Sequence, residues 1–226
     1  MIVANDLCVT LDGHAVLDHV SFTVRRGESV ALVGPNGSGK TSILRSLLGL
    51  VPFAGRALVD GHDVVREAVA ARTLLAYVPQ RAAFGDAPAA EVLGFVAALR
   101  RLDRAQIPAS LRAVGLEEHA RERVRTFSGG MQQRLSLAVA LLADTPILLL
   151  DEPSASLDRD GQHMFFDIVA RLRKQGRTLL LASHRPEEVE YLTDRVVHLD
   201  RGRVIGAAPA TKPARVIALS ARGERR

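Results

Sequence analysis

A glycine-rich segment, residues 34–41, constrains the fold of this chain more than any other feature of its sequence. It reads Gly-Pro-Asn-Gly-Ser-Gly-Lys-Thr and fits the pattern G-x-x-x-x-G-K-[ST]. The continuous apolar run Ser29–Val33 precedes it and is typical of a strand buried on both faces. The stretch Ser42–Leu50, ended by Pro52, follows it with helical character. The sequence therefore predicts a strand, an anion-binding loop and a helix in direct succession.

The same segment predicts a binding site for a nucleoside triphosphate. Glycines let backbone N–H groups curl around a phosphate, and the positive end of the following helix points at it. Lys40 would bridge the outer phosphate oxygens, and the Thr41 hydroxyl would ligate Mg²⁺. The residues expected to contact the nucleotide are Gly34, Pro35, Asn36, Gly37, Ser38, Gly39, Lys40, Thr41 and Ser42. The loop alone fits a kinase, an ATPase or a GTPase.

Two adjacent acids end a second apolar run and complete the predicted site. Asp151 and Glu152 follow Ile147–Leu150, at the strand end where a doubly wound sheet has its ligand crevice. We expect Asp151 to hold Mg²⁺ and Glu152 to orient or deprotonate the attacking water. Taken alone, Asp-Glu-Pro is equally compatible with an ordinary turn. The second acid beside the magnesium ligand favours hydrolysis over transfer to an acceptor.

The apolar runs predict an α/β fold with a mostly parallel sheet. Ile147–Leu150 and Thr178–Ala182 are each preceded by a helical segment, as expected for parallel strands covered on both faces. Upstream, Ile2–Val9 and Ala15–Val24 alternate apolar and polar residues around a turn, which is typical of half-buried antiparallel strands. The prediction is one domain, 1–226, with a doubly wound core and an N-terminal antiparallel β subdomain.

A region of different character lies between the glycine-rich loop and the two acids. Residues 82–126 lack strand-like runs. Two apolar series with helical spacing are Val92, Phe95, Val96, Leu99, Leu102 and then Leu135, Ala138, Val139, Leu142. We therefore predict an inserted α-helical subdomain over 82–145. We also predict a loosely ordered basic tail over 207–226.

The composition indicates the class of protein, its cellular location and the partners it can bind. Its 47% hydrophobic and 24% charged residues are typical of a globular domain. The longest apolar stretch, Val92–Leu99, is far shorter than the roughly 20 residues that span a bilayer, and no secretory signal is visible, so we expect a cytoplasmic protein. The net charge is +5, but the basic residues are scattered along the chain, so no nucleic-acid partner is expected.

A second helix start with anion-binding character precedes the acids. Phe127–Arg134 reads Phe-Ser-Gly-Gly-Met-Gln-Gln-Arg. With the motifs above and their order, it resembles the signature loop of the ATP-binding cassette (ABC) transporter family, usually Leu-Ser-Gly-Gly-Gln, and the resemblance covers nearly the whole chain. It implies a RecA-like P-loop NTPase core that binds ATP and Mg²⁺. It also implies a homodimer, or a paired cassette, in which Ser128, Gly129 and Gly130 of one chain close over the γ-phosphate held by the other.

The resemblance assigns roles to three further residues. Gln80 matches the glutamine that contacts Mg²⁺ and water and links the core to the helical insertion. Asp158 ends a segment, Ser154–Asp158, that matches the one communicating across the dimer. His184 matches the histidine that reads the γ-phosphate. In isolation, the segment Ser154–Asp158 could be a polar turn, and a lone histidine at a strand end is more often structural than catalytic.

Two positions depart from the family pattern. Met131 replaces the usual signature glutamine, which leaves the Ser-Gly-Gly backbone donors intact. Where the family has an aromatic residue that stacks on adenine, this chain has Leu11, with His14 nearby. Because a base–aromatic stack contributes about 1–3 kcal/mol in nucleic-acid binders, its loss would weaken nucleotide affinity or base choice.

The function implied is the ATP-binding subunit of an ABC transporter, peripheral on the cytoplasmic face of the membrane and driving separate transmembrane permease subunits. A soluble non-transport ATPase of the same family is the alternative, but such relatives carry coiled-coil insertions or two cassettes, for which this chain has no room. A small-molecule kinase would need a lid in place of the signature. The wording of the signature resembles export-type or maturation cassettes, including the copper-maturation ATPase of nitrous oxide reductase assembly. We expect Phe84–Val92 to dock the partner's coupling helix.

Overall fold

The computed structural model describes residues 1–210 of the chain. Its strands are β1 (Ile2–Leu11), β2 (His14–Val24), β3 (Ser29–Val33), β4 (Ala54–Val59), β5 (His62–Asp63), β6 (Leu75–Val78), β7 (Ile147–Asp151), β8 (Thr178–Ala182), β9 (Arg195–Asp200) and β10 (Arg203–Pro209). Its α-helices are α1 (Lys40–Leu47), α2 (Ala68–Thr73), α3 (Ala89–Arg100), α4 (Ile107–Ala113), α5 (Gly129–Ala143), α6 (Arg159–Lys174) and α7 (Pro186–Leu192). None of these helices is long and apolar enough to span a bilayer.

The strands form two sheets. A six-stranded sheet has the order β10-β9-β3-β8-β7-β6, in which all neighbouring pairs are parallel except β10 with β9. A four-stranded antiparallel sheet has the order β2-β1-β4-β5. This architecture confirms the predicted α/β class, with a mostly parallel core and an N-terminal antiparallel sheet.

The continuous apolar runs are explained by burial on both faces of the larger sheet. On β7, Ile147 and Leu149 pack into a core shared with the N-terminal sheet and α1. The alternate residues Leu148 and Leu150 pack into a second core with helices α3, α5 and α6. Because successive side chains of a strand point to opposite faces, both faces need apolar residues. No polar position is left on the strand until Asp151.

The parallel strands end at one edge of the sheet, and this edge collects the predicted site. Residues 34–39 follow β3, Glu152 follows β7 and His184 lies two residues beyond β8. Gln80 follows β6 by two residues. In open α/β sheets, ligands bind at the carboxyl ends of the strands. The fold therefore brings segments far apart in sequence to a common place.

Helix α3 is where predicted, but its buried face is different. The apolar series puts Phe95 and Leu99 on the inner face, whereas these side chains are 70% and 72% exposed. The buried residues of α3 are Ala89, Leu93, Gly94 and Ala97. The contact face therefore combines Leu93 with three small residues, and at one of them, Gly94, a Cβ would lie 2.8 Å from Arg104 Nη2. The limits 82–145 of the helical subdomain stay a prediction.

The sequence patterns miss several elements and misplace one. They do not predict β4, β6, β9 or β10, which are short or irregular in polarity. Residues 207–209 were assigned to a loosely ordered tail, but they lie in β10 and pair with β9, so the prediction is wrong for them. Residues 211–226 of that tail lie outside the described residues.

Candidate functional site

The loop between β3 and α1 is pressed against its neighbours, which explains its glycines. Gly39 precedes the first helical residue, Lys40, and has φ +103°. A Cβ on Gly39 would lie 2.5 Å from Leu17 Cδ2, and one on Gly34 would lie 2.2 Å from the carbonyl oxygen of Leu199. Both distances are shorter than real Cβ contacts. Only glycine permits this path, which curves the loop so that its backbone N–H groups can surround an anion.

Lys40 lies back over the loop with its ammonium group buried. Its side chain is held at 6% exposure, and Nζ donates to the carbonyl oxygens of Gly34 at 2.7 Å and Pro35 at 3.1 Å. The same nitrogen is 4.0 Å from Glu152 Oε1. A positive charge at this position, on the first turn of α1, complements a bound phosphate.

Asp151 has one hydrogen-bond donor on each carboxylate oxygen. Thr41 Oγ1 donates to Oδ1 at 2.9 Å, and the hydroxyl of Tyr77 donates to Oδ2 at 3.0 Å. Burial raises the pKa of Asp151, whereas the two hydroxyls lower it in part. Burial and the neighbouring Asp151 also raise the pKa of Tyr77, which keeps the phenol protonated as a donor. The carboxylate is therefore fixed in orientation beside the Thr41 hydroxyl.

Tyr77 is a site residue that sequence analysis missed. It lies on β6, where it pairs with Leu149 of the parallel strand β7. A long side chain at that register can reach the end of β7 two residues further on. The sequence feature that could have identified Tyr77 is its hydroxyl within an otherwise apolar strand, three residues before Gln80. Without knowledge of the strand pairing, the sequence does not show that Asp151 is the residue that this hydroxyl contacts.

Glu152 and His184 form a pair at the ends of β7 and β8. His184 Nδ1 lies 2.8 Å from Glu152 Oε1. Since an ionised carboxylate can only accept, the imidazole is the donor when Glu152 is ionised. Glu152 has φ +44°, an uncommon conformation for a non-glycine residue. Its second oxygen, Oε2, is buried and has no hydrogen-bond partner within the described residues. A buried carboxylate with one free oxygen can accept a proton from a nearby water.

These residues surround a cavity of about 380 Å³. Residues 36–42 line it, together with Val16, Gln80 and Glu152. Val16 is a lining residue that sequence analysis missed. Of the two residues expected near the base, Leu11 packs against the first core and His14 is exposed. Neither lines the cavity.

Ser128 marks the second helix start, away from this cavity. Its side chain caps α5, where Oγ accepts from the N–H of Met131 at 3.2 Å. Ser128 and Gly129 are exposed, and Gly130 is half-buried. A Cβ on Gly130 would lie 3.2 Å from the carbonyl oxygen of Ser156, so the glycine permits close packing on the turn after β7. The structure does not bring this loop to the cavity of its own chain.

Asp158 is also an exposed helix cap. Its Oδ1 accepts from the N–H of Gly161 at 2.8 Å at the start of α6. Among the predicted site residues, Lys40, Thr41, Gln80, Asp151, Glu152 and His184 come together. Ser128, Gly129, Gly130 and Asp158 lie on a separate, solvent-facing part of the surface.

The donor set at the cavity fits Mg²⁺ bound together with a phosphate. Within residues 1–210, no three acidic, histidine or cysteine side chains are grouped to hold a metal by themselves. Mg²⁺ is commonly bound through one or two carboxylates, with phosphate oxygens and waters completing its shell. The Thr41 hydroxyl and the Asp151 carboxylate supply such a partial set. Ser38 Oγ is buried in the loop, has no hydrogen-bond partner among residues 1–210, and is a further potential donor to a phosphate.

Comparison with known proteins places this geometry in a family. A family model described as ABC transporter matches residues 17–155. The daunorubicin resistance ATP-binding protein DrrA3 of Streptomyces coeruleorubidus is 38% identical over 218 residues, covering 91% of this chain and 69% of that protein.

Two solved structures extend the match to the fold. An ATP-binding subunit of an ABC transporter superposes with a TM-score of 0.86 at 28% identity, covering 92% of this chain and 89% of the other. CbiO1 from Clostridium perfringens, part of the ABC transporter complex cbiONQ, superposes with a TM-score of 0.78 at 25% identity. The match covers 92% of this chain and 88% of cbiO1.

Proposed function

The chain belongs to the ABC transporter family, and on that premise we propose that its helix starts at Lys40 and Ser128 serve one ATP-hydrolysing site shared between two copies. Members of the family bind and hydrolyse ATP and act as ATP-binding subunits of transporters. The observation that carries the proposal is the contrast between a buried, assembled cavity and an exposed signature loop. The cavity and the signature loop each have the chemistry to bind phosphate, yet within one chain they lie apart.

The residues of the cavity divide the work of hydrolysis. The loop N–H groups and Lys40 would hold the β- and γ-phosphates, and the Asp151 carboxylate with the Thr41 hydroxyl would hold Mg²⁺. Bound Mg²⁺ would neutralise charge that develops on the phosphates. Glu152 accepts the proton of the attacking water at Oε2. The water oxygen bonds to the γ-phosphorus as the bond to the bridging oxygen of ADP breaks.

Three other residues complete the site in this proposal. His184 donates to Glu152 Oε1 and so keeps its other oxygen oriented for the water. Gln80 lies on the cavity wall, from which it would contact Mg²⁺ and the attacking water. Asp158, which caps α6 near the signature loop, contributes at the interface between the two copies.

The second half of the site comes from a twin chain or a paired cassette. Ser128, Gly129 and Gly130 present a capped helix start to solvent, and free N–H groups at such a start attract anions. When the copies meet head to tail, each signature loop closes over the γ-phosphate in the cavity of the other. No nucleic acid enters this proposal.

The proposed partner is a transmembrane permease, reached from the cytoplasmic face of the membrane. Membership of cbiO1 in a transporter complex supports this arrangement. The expected docking segment, Phe84–Val92, leads into α3, which exposes Phe95 and Leu99 to solvent. If charge substitutions in Phe84–Val92 leave assembly with the permease intact, this docking surface is wrong. The resistance function in the name of DrrA3 supports an export-type cassette; the similarity to a copper-maturation ATPase stays a prediction.

The shared site is tested by hydrolysis measurements on variants, alone and mixed. Glu152→Gln is expected to lower the rate at least about 100-fold while ATP binding is retained, because general-base catalysis contributes about 10²–10⁴-fold. Ser128→Arg places a bulky side chain at an exposed loop and is expected to abolish hydrolysis without loss of folding. The control is Ser156→Ala, which leaves the backbone of the signature loop in place.

Mixing separates a shared site from one built within a single chain. Lys40→Ala and Ser128→Arg proteins are each expected to be inactive. A dimer of one of each contains one complete site, made of Lys40 from the second chain and Ser128 from the first, so the mixture regains activity. Full activity of Ser128→Arg alone would overturn the proposal.

A further inference from the structure

Helix α7 carries a buried acid that the proposed mechanism does not use. Glu188 is 1% exposed, whereas Glu187 and Glu190 on the same short helix are exposed. No ion pair to Glu188 is found within the described part of the chain, and its Oε2 has no hydrogen-bond partner there. Burial raises the pKa of Glu188. Ser154, Ser183 and the charge of Arg185 offset this effect of burial only in part. A buried carboxyl without an ion pair costs folding free energy, so its position calls for an explanation other than stability.

The contacts of Glu188 join the two segments that carry the catalytic pair. The Ser154 hydroxyl donates to Glu188 Oε1, and Ser154 is fully buried two residues after Glu152. Glu188 lies four residues after His184. This hydrogen bond joins the turn that follows β7 to the segment that follows β8, in addition to the contact between Glu152 and His184.

Arg185 adds a second contact between the same two segments. Its Nη1 donates to Ser154 Oγ at 3.3 Å, and its backbone N–H donates to Ser183 Oγ at 3.0 Å. Ser154 therefore receives a donor from the segment after β8 and gives its own proton to Glu188. With both hydrogen bonds made, the turn after β7 has little freedom to rotate away from His184.

We propose that Glu188 is a positioning residue for ATP hydrolysis, holding Ser154 so that Glu152 Oε1 stays within hydrogen-bond distance of His184. The proposal rests on the role assigned above to Glu152. If the Glu188–Ser154 hydrogen bond is lost, the turn can shift and the free oxygen of Glu152 no longer faces the water. A misplacement of about 1 Å in a catalytic group can lower a rate by up to about 100-fold.

The test compares variants that remove this hydrogen bond with one that keeps it. Ser154→Ala and Glu188→Leu are each expected to lower kcat about tenfold, with KM for ATP changed less than about twofold. Glu188→Gln keeps an acceptor oxygen for Ser154 and is expected to stay within about threefold of the wild-type kcat. The matched control is Glu187→Gln, a loss of the same charge at an exposed position of the same helix.

Two further measurements separate positioning from a loss of structure. Melting temperatures of Ser154→Ala and Glu188→Gln are expected within about 3 °C of wild type, because both substitutions leave the apolar core intact. The double variant Ser154→Ala/Glu188→Leu is expected to be no slower than the slower single variant, since both remove one interaction.

The inference is overturned if Ser154→Ala hydrolyses ATP at the wild-type rate, or if the two losses multiply in the double variant. Ser154→Ala decides the matter if Glu188→Leu does not fold. The Glu152→Gln protein in the same assay distinguishes failure of the proposed function from failure of the role of Glu188. A fully active Glu152→Gln would contradict the proposed function itself, whereas its inactivity beside a fully active Ser154→Ala would contradict only the role of Glu188.

Discussion

The two phosphate-binding helix starts of this chain differ in how complete they are. The start of α1 is enclosed, and side chains from β6, β7 and the segment after β8 converge near it within one chain. The start of α5 at Ser128 is capped by its own side chain and faces solvent. The first is a cavity with catalytic groups already in hydrogen-bond contact. The second is an exposed surface with the chemistry to bind an anion.

This difference explains how the site can be switched by association. A cavity that is complete except for one wall can bind ATP in a single chain. In the proposed shared site, hydrolysis requires the missing wall, which a second copy or a paired cassette would supply. Because the N–H groups at a helix start interact with charge over a short range, the signature loop contributes only when the two chains are in contact.

A matched pair of glycine variants gives the largest expected contrast between the two halves. Gly34→Ala introduces a Cβ only 2.2 Å from a backbone oxygen, so we expect a stability loss of about 1–3 kcal/mol together with loss of ATP binding. On Gly129 the added Cβ meets Ser156 Cβ at 3.8 Å, an ordinary contact. Gly129→Ala should therefore keep its stability within about 0.5 kcal/mol and still lose hydrolysis. Urea unfolding and ATPase assays measure both effects.

Either of two results would break this contrast. Equal destabilisation by both glycine variants would mean that the signature loop is packed as tightly as the phosphate-binding loop. Wild-type hydrolysis by Gly129→Ala would mean that the backbone at the start of α5 does not approach the nucleotide.

Loss of the Tyr77 hydroxyl should have a smaller effect, confined to the enclosed half. Tyr77→Phe removes the donor to Asp151 Oδ2, which leaves the carboxylate free to turn away from Thr41. We expect the Mg²⁺ concentration for half-maximal hydrolysis to rise about tenfold, as is typical when a group that orients a metal ligand is lost. Tyr191→Phe, at an exposed tyrosine, is the control. An unchanged Mg²⁺ requirement would show that Tyr77 does not orient Asp151.

The smallest predicted effect is on the pH dependence of stability. Because burial raises the pKa of Glu188, the folded chain binds this proton more tightly than the unfolded chain does. The contribution to stability is present at acidic pH and is lost as the pH rises through the raised pKa. Glu188→Gln cannot titrate at this position. The melting temperature of this variant minus that of wild type should therefore increase as the pH is raised from 4.5 to 8. A constant difference across this range would contradict the raised pKa.

The sequence was most informative where the physical constraint is local or continuous. The apolar runs Ser29–Val33 and Thr178–Ala182 coincide with β3 and β8 because a parallel strand covered on both faces must be apolar throughout. The glycine-rich loop was identifiable because its steric demands fall within eight consecutive residues. The resemblance to a family added Gln80, Ser128 and His184, which local patterns could not distinguish from structural residues.

Contacts that depend on strand order and register were not accessible in this way. Tyr77 meets Asp151 only because β6 pairs with β7 in one register. The Glu188–Ser154 hydrogen bond requires α7 to fold back toward the end of β7. On α3, helical spacing identified the helix but not its buried face, because small residues at the contact allow closer packing than Phe95 or Leu99 would. In each case, the contact or the buried face depends on a partner distant in sequence, which a local pattern does not contain.

A high-resolution structure of the Glu152→Gln protein with Mg-ATP tests the central claim most directly. The account predicts two chains and two nucleotides, each with its γ-phosphate between Lys40 of one chain and Ser128 of the other. A structure in which every nucleotide is enclosed by a single polypeptide, with Ser128 far from any phosphate, would contradict it.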